Sequence, residues 1–333
     1  MQAQGLQRRQ WLASGIAALT TCIAALTFGP AHRAWAQPAY PSKPLRVIVP
    51  FPAGVSPDVV ARQWAERLAR LGGQPVVVEN RPGASSIIAT QAAAAAPADG
   101  HTLLWTVNNT FSINPYVFRK LPYKADDFTP VTQVLAVPYV LLVAADAPWR
   151  TLDDLLRDAK ARPGALSYAS GGIGTGLHVV MARLLNTAGA SMLHVPYKDA
   201  FMPDVMGRRV DVGVDASTTA IGQIKGGRVR ALAVTSAQRL EMLPQVATVS
   251  ETFAGFVGDS WQGVFVPRDT PDAAVQALAA LSRRIVDTAD FRAVLRDYGL
   301  PPVGSTPAAF KAFLAEDARG WAKVVKDNLI AVD

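Results

Sequence analysis

Cysteine is nearly missing from this chain. The single one, Cys22, sits inside an apolar N-terminal run. The residues after it can form no disulfide, thiolate metal site or thiol nucleophile. Stability must therefore come from a core, and a chain of 333 residues, half of them apolar, is long enough to bury one. Histidine is scarce too. His178 and His194 have no neighbouring acids at metal-ligand spacing, so neither a metal nor a cofactor is expected. Beyond Phe28 no apolar run is long enough to span a bilayer. GxxxxGK[ST], GxGxxG and GxSxG do not occur in the relevant loops, which disfavours nucleotide phosphates, dinucleotides and a serine-hydrolase elbow.

Arg8 and Arg9 open a basic segment, an apolar run extends from Trp11 to Phe28, and Ala34-Trp35-Ala36 forms a small-x-small cleavage site. Residues 1–36 read as a secretory signal peptide, exported by the Sec or the twin-arginine route into a Gram-negative periplasm. Thr21 before Cys22 argues against a lipoprotein signal. The leader holds Arg8, Arg9 and Arg33 and no acid, so the formal charge of +7 falls to +4 without it. The remaining bases are dispersed in small clusters such as Arg208-Arg209. That describes a solvated surface, and no nucleic-acid partner is expected.

Strand and helix patterns alternate along the rest. Leu45–Val49 reads as a strand, and Val60, Trp64, Leu68 and Leu71 recur at helical spacing. Pro75–Glu79 and Thr102–Thr106 read as strands flanking an Ala-rich helix over Ser85–Ala96, which Pro97 stops. A second set follows: helix Leu152–Ala161, strand Leu166–Ala169, helix Leu177–Ala188, strands Met192–Pro196 and Val210–Val214, helix Ile221–Gly226 and strand Arg230–Thr235. This rhythm implies α/β architecture with parallel sheets. The β-rich runs "VTQVLAVPYVLLVAA" and "SWQGVFVP" read as hinge strands, and the C-terminal helices, Pro271–Thr288 and Pro307–Asn328, are expected to fold back on the first domain. The expected division is residues 37–143 with 262–333 as lobe 1 and 144–261 as lobe 2, with a ligand cleft between them.

Ligands of open parallel sheets lie outside the carboxyl ends of the strands. Five loops stand there: Phe51–Asp58, Val107–Asn114, Ser170–Gly176, Tyr197–Met202 and Asp215–Thr219. In the first, Ser56 fits an N-cap, Pro57 the first helical residue and Asp58 a first-turn acid. "SGGIGTG" carries the strongest local signal. Its glycines let backbone N–H groups converge at a helix N-terminus, Ser170 and Thr175 add hydroxyls, and a carboxylate suits such a site. His178 stands in the first turn beyond it, while His194 reads as structural. Asn108, Asn109 and Thr110 can give and accept hydrogen bonds. Asp215 can cap a helix or accept from a ligand. A hydrolase using Ser170, His178 and Asp215 is a competing reading, because triads are assembled in space.

Taken together, "YPSKPLRVIVPFPAG", "QPVVVENRPGA", "ADGHTLLW", "INPYVFRKLPY", "LSYASGGIGT", "HVPYK" and "GGRVRALAVTS" resemble the Bug family of periplasmic solute receptors, which serve tripartite tricarboxylate transporters. The resemblance implies a type II periplasmic-binding-protein, or Venus flytrap, fold with two α/β lobes, a hinge and an interlobe cleft. It implies no catalysis. It also implies a monomer that closes on a small organic acid and presents it to transporter membrane subunits. A sensor feeding a signalling system would use the same lobes. Carried onto this chain, the site comprises Phe51, Ala53, Gly54, Val55, Ser56 and Asp58 in the first loop, and Asn108, Asn109 and Thr110 in the second. Ser170, Gly172, Gly174, Thr175, Gly176, His178, Phe201 and Asp215 complete it. The first loop departs from the family pattern in having Ala53, Val55 and Pro57 where glycines and Thr are usual, and Phe201 with Met202 is expected to bring apolar surface to the cleft. A mono- or dicarboxylate with an apolar body is therefore expected rather than citrate.

Overall fold

The computed structural model describes residues 40–198, 200–328 and 330. The expected signal peptide, including Cys22 and the Ala34–Ala36 cleavage site, lies outside the described residues. The chain runs through strand β1 (Leu45–Val49), helix α1 (Ser56–Gly72), strand β2 (Val76–Asn80), helix α2 (Ile87–Ala94), and strands β3 (Thr102–Val107) and β4 (Phe128–Val137). It continues through β5 (Tyr139–Ala144), α3 (Leu152–Ala161), β6 (Ser167–Ser170), α4 (Gly176–Ala188) and β7 (Leu193–Pro196). Next come α5 (Met202–Met206), β8 (Val212–Ala216), α6 (Ser217–Lys225) and β9 (Val229–Val234). Strand β10 (Ser260–Pro267) precedes helices α7 (Asp272–Val286), α8 (Ala289–Asp297) and α9 (Pro307–Asp327).

Two five-stranded sheets result, ordered β2-β1-β3-β10-β4 and β7-β6-β8-β5-β9. They are mixed, not parallel as expected. In the first, β2, β1 and β3 run parallel and β10 is antiparallel to both neighbours; in the second, β7, β6 and β8 run parallel and β5 is antiparallel to both. Parallel neighbours need a crossover connection. Strands β5 and β10 each enter from the other sheet, and each lies antiparallel to both neighbours.

Only Pro138 separates β4 in one sheet from β5 in the other. The expected boundary at 143/144 thus falls inside β5, and the one at 261/262 falls inside β10, where Trp261 already pairs with Ala136 of β4. Apolar character runs unbroken through the first crossing, and only the strand is interrupted, at Pro138, which lacks the N–H needed for a ladder.

Both faces of each sheet are covered by side-chain clusters. Val60, Trp64 and Leu68 of α1 bury the predicted stripe against Val47, Leu103 and Trp105, while Leu71, in the last turn, is exposed. Helix α1 is capped by Val55 without a side-chain bond, not by Ser56. Helix α2 starts two residues later than expected because Ala84, Ser85 and Ser86 take positive φ angles of 47°, 51° and 76°. Of the C-terminal helices, α7 returns to the first sheet through Val275 and Leu278. Helix α9 does not stay there. Its Phe310 packs with Trp261 and Phe265, whereas Trp321, Val324 and Val325 join the core of the second sheet. Between them, Asp317 accepts from the indoles of Trp261 and Trp321, each at 2.8 Å.

Candidate ligand cleft

A cavity of about 600 Å³ opens where the carboxyl ends of the parallel strands of both sheets meet the crossing strands. The first sheet contributes Phe51, Val55 and Ser56 after β1, Ser85 and Ser86 after β2, and Asn108 and Asn109 after β3. The second contributes Thr175, Gly176 and Leu177 at the start of α4, and Thr218 and Thr219 at the start of α6. Val137, Tyr139, Ser260 and Gln262 of the crossing strands form the floor. Helices α1, α4 and α6 thus begin at this cavity. Their first N–H groups have no intrahelical partner, and each end carries partial positive charge.

No Lys, Arg, His, Asp or Glu lines the cavity. Its polar groups are hydroxyls and amides, and two of the amides have their oxygens engaged from within the protein. The Ser260 hydroxyl donates to Asn108 Oδ1 at 2.6 Å, leaving Nδ2 of this fully buried residue without a partner. Trp105 Nε1 donates to Gln262 Oε1 at 3.1 Å, so the NH₂ group of Gln262 is the end left for the cavity. A buried donor without an acceptor costs roughly 1–3 kcal/mol. A ligand oxygen placed here would recover that cost. Tyr139 closes the floor, and burial pushes its phenol far above the usual range. A Cβ added at Gly176 would lie 2.2 Å from the Tyr139 hydroxyl oxygen, so only glycine allows α4 to begin this close to β5.

The structure brings Phe51, Val55, Ser56, Asn108, Asn109, Thr175 and Gly176 together and leaves the other expected residues outside the lining. Ala53 and Gly54 are exposed at the loop tip. Asp58 is 1% exposed and works locally: its carboxylate accepts from Gly54 N–H, Arg62 and Asn80. Burial pushes that carboxyl up, but the bonds from Arg62, Asn80 and Gly54 outweigh it and hold it below the usual carboxylate range. Thr110 is buried with its hydroxyl 2.6 Å from that of Thr106. Phe201 and Met202 pack into the second sheet beside Val140, Leu142 and Val205 instead of facing the cleft. Asp215 lies behind Ala216 and accepts that residue's N–H at 2.8 Å; burial pushes it up to about 6.

The glycine loop is tied from behind. Ser170 is fully buried, its Oγ 2.7 Å from His194 Nε2. The Gly174 N–H donates to His178 Nδ1, and the Thr175 hydroxyl donates to the carbonyl of Gly172. His178 and His194 stack at 3.9 Å and 4° beside a separate hollow. Ser170, His178 and Asp215 do not hydrogen-bond to one another, so the competing hydrolase triad is not assembled. Among the described residues no group of three or more His, Cys, Asp or Glu could hold a metal ion.

Sequence reasoning missed Gln262, Ser260, Tyr139, Ser85 and Ser86, and in the fifth loop it singled out Asp215 where Thr218 and Thr219 line the cavity. The positive φ angles at Ser85 and Ser86 are uncommon for residues with side chains, and such strain concentrates at binding sites.

Comparison with known proteins places this geometry. Residues 60–329 match the tripartite tricarboxylate transporter family receptor. Protein BugT of Bordetella pertussis is 34% identical over 297 residues, 87% of this chain and 90% of its own length. The structure of R. palustris Rpa4515 with adipate has 31% identity and a TM-score of 0.78, covering 88% of this chain and 99% of that one. MatC (Rpa3494) from Rhodopseudomonas palustris with bound malate has 29% identity and a TM-score of 0.73, covering 86% and 100%. The paired mixed sheets form the type II periplasmic-binding-protein fold, and the chain belongs to the family of tripartite tricarboxylate transporter receptors.

Proposed function

We propose that this receptor binds a small organic carboxylate in the cleft, closes on it, and delivers it to the membrane subunits of its transporter. The carrying observation is a cavity with no charged lining at which three helices begin and two amides, Asn108 and Gln262, have their oxygens already engaged by Ser260 and Trp105. Donors without acceptors favour a ligand rich in acceptor oxygens. The reading holds the protein to be a non-catalytic monomer, exported to the periplasm by the Sec or twin-arginine route. No helix among the described residues is long and apolar enough to cross a membrane.

The lobes in this reading meet at Pro138 and just before Ser260, and each supplies part of the clamp. Closure places donors of both lobes on one ligand, so binding favours the closed state.

The lining also limits ligand type. Phe51, Val55, Val137 and Leu177 give apolar surface. A carboxylate buried here has no counter-ion and relies on helix ends and neutral donors. A third carboxylate would add desolvation cost without a cation to offset it. The proposed ligand is a mono- or dicarboxylate with an apolar body. Adipate in the related R. palustris structure has this chemistry.

Calorimetry with adipate, malate, benzoate and citrate tests this. The aliphatic or aromatic acids should bind more tightly than citrate, with compaction in small-angle scattering. Citrate binding equally or more tightly overturns the ligand class. Absence of compaction with a bound acid overturns closure.

A further inference from the structure

The crossing segments have a second side. Val137 and Ser260 face the cleft, while their neighbours Ala136 and Asp259 line another cavity, of about 630 Å³. The alternation is that of extended chain, in which successive side chains point opposite ways. This rear pocket is bounded on one side by Arg296 of α8 and the Gly299–Pro302 segment, and on the other by the Ser236–Met242 segment that follows β9. Its volume lies within the range of about 300–1,000 Å³ typical of small-molecule sites.

Three of its charged groups make no ion pair among the described residues: Asp259, Arg296 and the exposed Glu241. The Asp259 carboxylate accepts from the Thr235 hydroxyl at 2.7 Å and has no cationic partner among the described residues. Burial pushes it up to about 7, the mark of a carboxyl held out of water without a counter-ion. Arg296 is exposed, and its guanidinium makes no hydrogen bond or ion pair among the described residues. The other lining arginines are engaged, Arg292 with Asp287 at 2.7 Å and Arg239 with Glu251 at 2.6 Å. Leu240, Met242 and Leu300 add apolar wall. An anion would satisfy Arg296 alone, and an amine would satisfy only a carboxylate, Asp259 in the interior or Glu241 at the surface. A molecule carrying both satisfies both.

We propose that the rear pocket is a second ligand site that takes a zwitterion with an apolar body, its ammonium group on Asp259, its carboxylate on Arg296 and its hydrocarbon on Leu240, Met242 and Leu300. The chemistry is that of an apolar amino acid. The proposal does not depend on what the cleft binds.

L-Leucine is the probe, with 4-methylpentanoate lacking the ammonium group and 3-methylbutylamine lacking the carboxylate. In calorimetry L-leucine should bind at least about tenfold more tightly than either analogue, as expected for one charge-assisted bond. Arg296→Gln, at the surface, and Asp259→Asn should each weaken L-leucine by about tenfold or more. Thr219→Trp, which fills the cleft, should leave L-leucine binding unchanged while abolishing carboxylate binding there. Thermal melts establish that each variant is folded, and Arg296→Gln decides if Asp259→Asn is not. No L-leucine binding at millimolar concentration overturns the proposal. So does binding that Thr219→Trp abolishes and Arg296→Gln leaves intact, because the ligand would then occupy the cleft.

Discussion

The hydroxyl of Ser260 donates to Asn108 Oδ1 at 2.6 Å, and Nδ2 of this buried amide is left without a partner at the cleft. Asn108→Ala removes the donor and should weaken carboxylate binding by about 10- to 100-fold, the worth of a hydrogen bond to a charged group. Ser260→Ala leaves the amide in place but free to turn over, so its effect should be smaller. Calorimetry on both variants checks the order, and a larger loss from Ser260→Ala contradicts it.

Gly176 tests the floor of the cleft. Gly176→Ala would put a Cβ 2.2 Å from the Tyr139 hydroxyl oxygen and 3.1 Å from its ring carbon Cζ. The variant should lose stability and cleft binding together. Tyr139→Phe removes the nearer atom, so the double variant should regain part of the lost melting temperature. Additive losses would show that the two residues do not press on each other.

Stability should respond to pH in two opposed ways. His178 is pushed down to about 4 by burial and then by His194, and His194 to about 4 by burial. Unfolded histidine titrates near about 6.5. Between these values the unfolded chain binds more protons, so this contribution is complete above about pH 6.5 and is lost as pH falls toward 4. Asp259, pushed up to about 7 by burial, has the opposite sign. Its contribution is complete below about pH 3.9 and is lost as pH rises through 7. Urea unfolding across pH should show a shallower acid limb for His178→Asn and a shallower loss toward neutrality for Asp259→Asn. Slopes equal to wild type would refute both assignments.

Ligand capture should depend weakly on ionic strength. Salt screens interactions between charges, and the cleft offers a carboxylate only hydroxyls, amides and helix ends. Titrations at low and high sodium chloride should give similar affinities. A steep fall with salt would point to a cationic side chain reaching the ligand.

The sequence disclosed the parts of this design that depend on local pattern. The spacing of Val60, Trp64 and Leu68 revealed the buried face of α1, and Phe51, Asn108 and Thr175, expected at the cleft because they follow strand ends, line the cavity. Gln262 was not, since nothing local marks it: it sits in an apolar strand, and its orienting partner, Trp105, is 157 residues away. Ser85 and Ser86 were hidden in what reads as the start of an Ala-rich helix. Asp58 misled in the other direction. A first-turn acid in a binding loop looks available, yet its oxygens are consumed by Gly54, Arg62 and Asn80. Phe201 looked cleft-facing from its place after β7, but its ring is buried against the second sheet.

Helix α9 has its first turn in the core of one sheet and its last turns in the core of the other, with Asp317 gripping an indole on each side. Neither half can be cut out of the gene as an autonomous domain, because each would lose part of its own interior with that helix. Heating should therefore melt the two halves in a single calorimetric transition, even though the proposed ligand capture has them move apart and together.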